Sequence, residues 1–477
     1  MKNKTIILLV LASLLALPAA AAAVEFTLGG YIKMETIWDS TQVNKNLLQL
    51  IARNNDASFH HGRLKFTAEN SRMYFTIMGP DLWGAKTTGY IEWDFDSHGN
   101  EYIYSGAPGG GWASPHKARI GLRHAMFRLN WPETELMLGQ YWSLLTEEIP
   151  ETANFGAVTT AGQPFLREPQ IRLTQTFALG TGKMTASIAL AEPTNGLWGL
   201  ALNPTQATSN PYGGESSETP KVVGRLKYDI DLWGKAAFWG TPRPLSLRVG
   251  AAWWRERFRK FTGTGRAFSE NNYADPAPAV GQRDQQNLDH WMVEGSVFIP
   301  LIPTHTQNLA GTASLLTQWF VGAGLDGYYE DFPASSSYLE YKYSSLEYYY
   351  DKDGKKIFYN RYWGDRVLMK RWGGFVQLQY YFTNQWYAQA VWGINRAFGV
   401  DRDLWLGDSD TNDPFKSNQH FYATLWYRPI KALKFGLEYT YVRTDYFQRR
   451  VATPGGSATG SDFGENHRMM FCGFFFF

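Results

Sequence analysis

The strongest constraint in this sequence is a two-residue alternation that recurs along most of the chain, and residues Arg371–Asn395 show it most cleanly. Trp372, Gly374, Val376, Leu378, Tyr380 and Phe382 share one parity, and Gly373, Phe375, Gln377, Gln379 and Tyr381 share the other. After Thr383 and Asn384 the return run alternates too, with Trp386, Ala388, Ala390, Trp392 and Ile394 set against Tyr387, Gln389, Val391, Gly393 and Asn395. Successive strand side chains leave on opposite faces, so this is a hairpin with an apolar face backed by an amide-rich one. Aromatics stand at both ends of the apolar face. Rings belong there when the band faces hydrocarbon and its rims lie at headgroup depth.

The same pattern begins at Phe26 and recurs to the terminal run His467–Phe477. Short breaks such as Gly79–Gly84 and Pro132–Glu135 alternate with long polar stretches at Glu192–Pro220, Lys260–Leu288, Glu330–Lys370 and Ala397–Lys416. About sixteen strands are read, within a range of about fourteen to eighteen, with one rim of short turns and one of long loops. The fold class is all-β, a transmembrane antiparallel barrel. The aromatic last strand is expected to pair with the first and so leave no open edge. A turn Asp-Leu-Trp-Gly occurs at Asp81–Gly84 and again at Asp231–Gly234, both expected on the short-turn rim.

Residues 1–23 read as a secretory signal peptide: Met1–Lys4 is basic, Thr5–Pro18 apolar, and Ala19–Ala23 offers a small-residue cleavage site. A single membrane anchor is the alternative, and the apolar run is short for one. Residues 24–477 then form the barrel domain. Beyond Val24 no apolar run is long enough for a spanning helix, and mean hydropathy is −0.34. The formal charge of +2 gives no reason to expect a nucleic-acid partner. One cysteine, Cys472, excludes an intrachain disulfide and a thiolate cluster.

With the apolar parity facing lipid, the other lines a lumen. Its cations are Lys33, Arg72, Lys86, Arg128, Arg172, Arg225, Lys227, Arg248 and Arg371; its acids are Glu35, Glu92, Asp94, Asp229, Glu294 and Glu438. Mixed signs keep a pore wet, and the slight basic excess favours anions. About half of these charges are expected simply to pair and hold the wall. Arg123 falls on the lipid parity with Ala125, Phe127 and Leu129, which calls for a bulge or a place outside the bilayer. The segment Ser143–Pro169, acidic at Glu147, Glu148 and Glu151, could fold into the lumen or point outward, and its composition leaves both open.

Ser71-Arg72, the strand Gly89–Phe95, Leu122-Arg123-His124-Ala125, Gly139–Ser143, Arg167 with Pro169–Arg172, and Gly436–Tyr439 occur in series. In that order and spacing they resemble the DcaP-like family of trimeric outer-membrane porins. The resemblance implies a sixteen-stranded barrel, a homotrimer in the Gram-negative outer membrane, and a third loop folded inward. It also implies a basic eyelet for small organic anions such as dicarboxylates, with Arg72, Arg123, Arg167 and Arg172 as its arginines. Tyr141 stands where the family usually has a small hydroxylic residue. The full pore-lining set read from both arguments is Arg72, Arg123, Arg128, Arg167, Arg172, Arg225, Arg248, Glu92, Asp94, Glu147 and Glu148. Expected partners are small solutes, outer-membrane lipid and lipopolysaccharide.

No cofactor is implied. The string Gly322–Gly327 fits a dinucleotide fingerprint without the helix that motif needs, and Asp408, Asp410 and Asn412 have calcium-loop spacing without its Gly and Glu. His60, His61 and His124 lack a nucleophile pattern. Three rivals remain: a sheath around a periplasmic redox protein, a barrel enzyme, and a soluble β protein.

Overall fold

The computed structural model describes residues 24–43, 51, 61–96, 120–146, 148–154, 160–193, 217–259, 261–263, 285–325, 327–329, 337–350, 356–399, 415–446 and 463–477; for 257–259, 261–263, 285–286, 337–350, 356–367 and 415 only the backbone is described. The signal peptide at 1–23, Glu147, His60 and the stretch Asp408–Asp413 lie outside these residues.

One antiparallel sheet closes on itself. Its strands are β1 (Glu25–Asp39), β2 (Arg63–Thr67 and Arg72–Met78), β3 (Lys86–Asp94), β4 (Gly121–Asn130), β5 (Thr134–Trp142), β6 (Arg167–Leu179), β7 (Gly182–Ala191) and β8 (Lys221–Ile230). The circuit continues with β9 (Leu245–Arg259), β10 (Gln285–Ile302), β11 (Ala313–Ala323), β12 (Lys370–Tyr381), β13 (Trp386–Phe398), β14 (Phe415–Ile430), β15 (Leu433–Tyr446) and β16 (Phe463–Phe476). The two pieces of β2 stand end to end against one partner. Arg63–Thr67 pairs with the far half of β1 and Arg72–Met78 with its near half, so the barrel has sixteen staves. The first of those pieces was not legible as a strand in the sequence. Closure is by β16 on β1, from Tyr31↔Phe476 to Asp39↔Arg468. In hydrocarbon an unpaired backbone group costs several kcal/mol, and this closure removes the last open edge.

Side chains sort as the alternation requires. Trp372, Leu378, Tyr380, Phe382, Trp386 and Trp392 are exposed outward, whereas Gln377, Gln379, Gln389 and Asn395 are buried inside. Outside, Trp319 lies between Trp372 and Trp392 at 6.5 and 6.2 Å toward one rim, and Trp386 stacks on Tyr427 at 4.3 Å toward the other. These are the two aromatic girdles. Among the described residues there is no helix long and apolar enough to cross a membrane.

Three expectations are corrected. The alternation that starts at Ala313 continues in sequence to Tyr328 and predicts a strand over that whole stretch, but the strand ends at Ala323, because Gly324 takes a left-handed φ of 69° and turns Leu325, Tyr328 and Tyr329 into the lumen, where they are buried. The polar stretch Glu330–Lys370 contains strands Ser337–Tyr350 and Lys356–Leu368, which join Phe261–Gly263 in a separate sheet at the long-loop end. The connection between β8 and β9 is more than a turn: Ala236–Phe238 and Thr241–Arg243 form an inward hairpin.

Candidate functional site

The site is the lumen, and the loop between β5 and β6 shapes it. Ser143, Leu144, Leu145, Thr146, Glu148, Glu151, Ala153, Asn154, Ala161 and Phe165 are all buried, so the loop runs inside the wall. It starts beneath β8–β11, where Arg225 donates to the Leu144 carbonyl (3.4 Å) and Gln318 to that of Leu145 (3.1 Å). Midway, Glu151 accepts from Tyr387 (2.7 Å), Gln379 (2.9 Å) and Lys434. At the far wall Glu438 accepts the Ala153 and Asn154 amides at 2.6 and 3.1 Å, and Lys33 holds the Ala153 carbonyl at 2.8 Å. On the way back the Ala161 amide donates to His420 Nδ1 at 3.0 Å. Gly162 has a φ of 75°, and a Cβ there would overlap the carbonyl of Ile394 and the backbone of Gly374. The loop lies directly on wall backbone, which is why Gly393 is a glycine: a Cβ there would overlap the Ala161 carbonyl.

This leaves the two halves of the wall in different surroundings. Lumen-facing Gln377 and Glu438 on the β12–β15 side are 1% and 0% exposed beneath the loop. On the β4–β8 side Arg128 and Glu135 keep 26% and 29% of their side-chain surface, and Lys227 and Asp229 keep 26% and 24%. The open space therefore runs along β4–β8.

The candidate arginines gather on that side. Parity placed Arg123 toward lipid, but β4 bulges there. Glu92 pairs with His124 and Trp93 with Leu122, so Arg123 is the extra residue and turns inward. Gln140 donates to its carbonyl at 3.1 Å, satisfying a group the bulge frees. The Arg123 guanidinium reaches Glu92 (2.7 Å) and Asp94 (2.6 Å), and Arg72 lies 3.5 Å from Glu92. Aromatic rings order the rest. Arg128 and Arg172 lie 4.9 and 5.5 Å from the Tyr141 ring, and Arg123 and Arg167 lie 5.7 and 5.1 Å from Trp142. Arg172 also contacts Met137 Sδ at 3.0 Å. Arg167 is on the outward parity of β6 and joins the group only because it sits at the loop end of the strand, against Trp142 and Phe165. Sequence reasoning missed His124 as part of this cluster; its ring packs 4.5 Å from Tyr141 and 5.1 Å from Trp142.

The remaining candidates do other work. Arg225 holds the start of the loop, and Arg248 pairs with Glu294 at 3.0 Å. Glu148 is gripped by both terminal nitrogens of Arg243 at 2.8 Å each. Burial alone would raise its pKa, but Arg243, with Arg248 and Lys227 behind it, holds the carboxyl down at about 2 against an ordinary 4.5. A carboxyl depressed by folding stabilises above its unfolded pKa and loses that stabilisation as pH falls through its folded one. The difference in loop amide exchange between wild type and Glu148→Gln is thus expected to stay constant from pH 7 to about 5 and to vanish near pH 2. Among the described residues no three His, Cys, Asp or Glu side chains converge as metal ligands.

The whole circuit can be set beside solved structures. The outer membrane channel DcaP of Acinetobacter baumannii superposes with a TM-score of 0.58 over 96% of this chain and 99% of that one, at 14% identity. The fold is that of the DcaP channel. An anion-selective porin from Comamonas acidovorans aligns over 95% of this chain and 100% of that one with a TM-score of 0.48 and 11% identity. No protein-family model matches the sequence, and no curated protein matches it either. Within this fold the inward loop lies against the β12–β15 wall, and the arginine cluster stands on β2–β6.

Proposed function

We propose that this chain is an outer-membrane porin, a homotrimeric water-filled channel through which small organic anions such as dicarboxylates diffuse past an arginine wall. It is a channel and not an enzyme, delivered by the signal peptide at residues 1–23 and seated among outer-membrane lipid and lipopolysaccharide. One observation carries the reading: the inward loop covers the β12–β15 wall, and the partly open lumen side chains, Arg128 with Glu135, stand beside the buried cluster of Arg123 and Arg172 with Glu92 and Asp94. Opposed charges in a narrow bore select by width and by the sign of the field. A sheath around a redox protein needs the bore that the loop occupies.

The test is planar-bilayer conductance with reversal potentials in a salt gradient. Wild type is expected to show a modest anion preference, and Arg128→Ala, at a partly open arginine, is expected to weaken it, with Arg172→Ala acting in the same direction. Cation selectivity that neither substitution moves removes the arginine wall from the reading and leaves the channel. Absence of any conductance from folded protein removes the channel.

A further inference from the structure

The longest connection on the short-turn rim carries structure that a turn does not need. Neighbouring antiparallel strands are joined by about two to five residues, yet residues 231–244 link β8 to β9 and send a structured hairpin into the lumen. Its turn, Trp239-Gly240, has φ angles of 50° and 76°, the left-handed pair of a two-residue type I′ turn. A tryptophan held there costs about 1–3 kcal/mol, so the surrounding packing must fix it. That packing is extensive. Lys235 and Thr304 exchange backbone hydrogen bonds of 2.9 and 2.7 Å at the base. Ser314 donates to the Ala237 carbonyl at 2.9 Å, and the Phe238 ring meets the edge of Phe298 at 5.7 Å. Ala236 is buried with Phe298, Leu316 and Phe375.

The hairpin's free edge does not face the periplasmic mouth. It meets the loop that enters from the opposite rim. Trp239 Nε1 donates to the Ile149 carbonyl at 2.9 Å, and the Arg243 guanidinium grips Glu148 with two bonds of 2.8 Å while donating to Ser246 at 2.9 Å. A bidentate guanidinium–carboxylate pair fixes orientation as well as distance. It does so next to Glu151, where the loop crosses to the far wall.

We propose that the hairpin Ala236–Arg243 is a clamp built from the short-turn side, which positions the inward loop and so sets the width of the channel. Trp239 and Arg243 are its positioning residues. The existence of the clamp stands on the contacts alone; its role in setting a bore rests on the porin reading.

Three variants test it: Trp239→Phe, which removes the indole donor and keeps an aromatic ring; Arg243→Gln; and replacement of 236–243 by Gly-Gly. Each is first shown to be folded by heat-modifiable migration, and the mild Trp239→Phe keeps the test alive should the larger changes prevent folding. Two quantities are read, hydrogen exchange of the amides in 143–154 and single-channel conductance. Arg243→Gln and the Gly-Gly variant are expected to speed loop exchange by at least about tenfold and to give a larger, noisier open level, with Trp239→Phe moving the same way by less. Unchanged exchange and unchanged conductance in folded variants overturn the clamp while the channel stands. Faster loop exchange in a protein whose wild type passes no current keeps the clamp and overturns the porin reading.

Discussion

Arg123→Ala is expected to move the reversal potential toward cations and to lower the thermal stability of the barrel, more than any other single change in the arginine wall. The reason is stoichiometric. Arg123 is 3% exposed and holds two carboxylates, Glu92 at 2.7 Å and Asp94 at 2.6 Å; without it Glu92 keeps Arg72 at 3.5 Å and the Tyr90 hydroxyl at 2.5 Å, neither as close a charge as the one removed. Removing one partner of a buried ion pair leaves charge uncompensated and costs about 3–5 kcal/mol. It also turns a locally balanced patch beside the open space into an acidic one. Glu92→Gln in the same chain is expected to restore part of both properties, because it removes one of the two stranded charges. Arg128→Ala differs in kind: Arg128 sits 3.4 Å from Glu135 with both side chains partly solvated, so its loss shifts selectivity and leaves melting almost untouched. Melting in detergent and reversal potentials measured on the same preparations check the contrast. An Arg123→Ala channel with wild-type selectivity would falsify the placement of this cluster on the solute path.

The wall was legible because it obeys a local rule. The parity of Trp372, Leu378 and Gln377, the aromatic girdles and the closure by the last strand follow from which face each residue takes, and that depends only on its immediate neighbours. The site was legible only in part because it breaks the rule. One extra residue at Arg123 reverses parity locally, and the alternation that located Arg72, Arg128 and Arg172 sent this one to lipid. The loop anchors are harder still. Glu151 meets Lys434, and Ala153 meets Glu438, across most of the chain, with no periodic signal linking them. Two signals could have been read. Glycine at 393 on a wall otherwise rich in amides and aromatics marks a close backbone approach, and the approaching backbone is that of Ala161. Trp239-Gly240 between Ala236–Phe238 and Thr241–Arg243 carries Gly at the second position of a type I′ turn, and so reads as a hairpin where a plain turn was assumed.

Glu438→Ala is expected to widen the channel and make it noisy without loosening the barrel. Glu438 is fully buried on β15, and its carboxylate takes the Ala153 amide at 2.6 Å, the Asn154 amide at 3.1 Å and the Thr424 hydroxyl at 2.7 Å. Charge-assisted bonds of this kind are about twice as strong as neutral ones. Alanine leaves two loop amides facing an emptied space, at roughly 1–3 kcal/mol for each unsatisfied donor. The loop can answer by moving its tip toward water, since the Lys33 bond to the Ala153 carbonyl and the Arg468 bond to Asn154 at 3.1 Å are what remain there. The β15 backbone ladder is untouched, so wall pairing and the melting of the barrel stay close to wild type. Glu438→Gln keeps one acceptor oxygen and should fall between the two. That ordering separates this account from a simple volume effect. Gln nearly fills the space of Glu, so a bore set by side-chain bulk predicts that Gln behaves as wild type, whereas a bore set by the charge gripping the loop tip predicts a clear gain in open-channel noise.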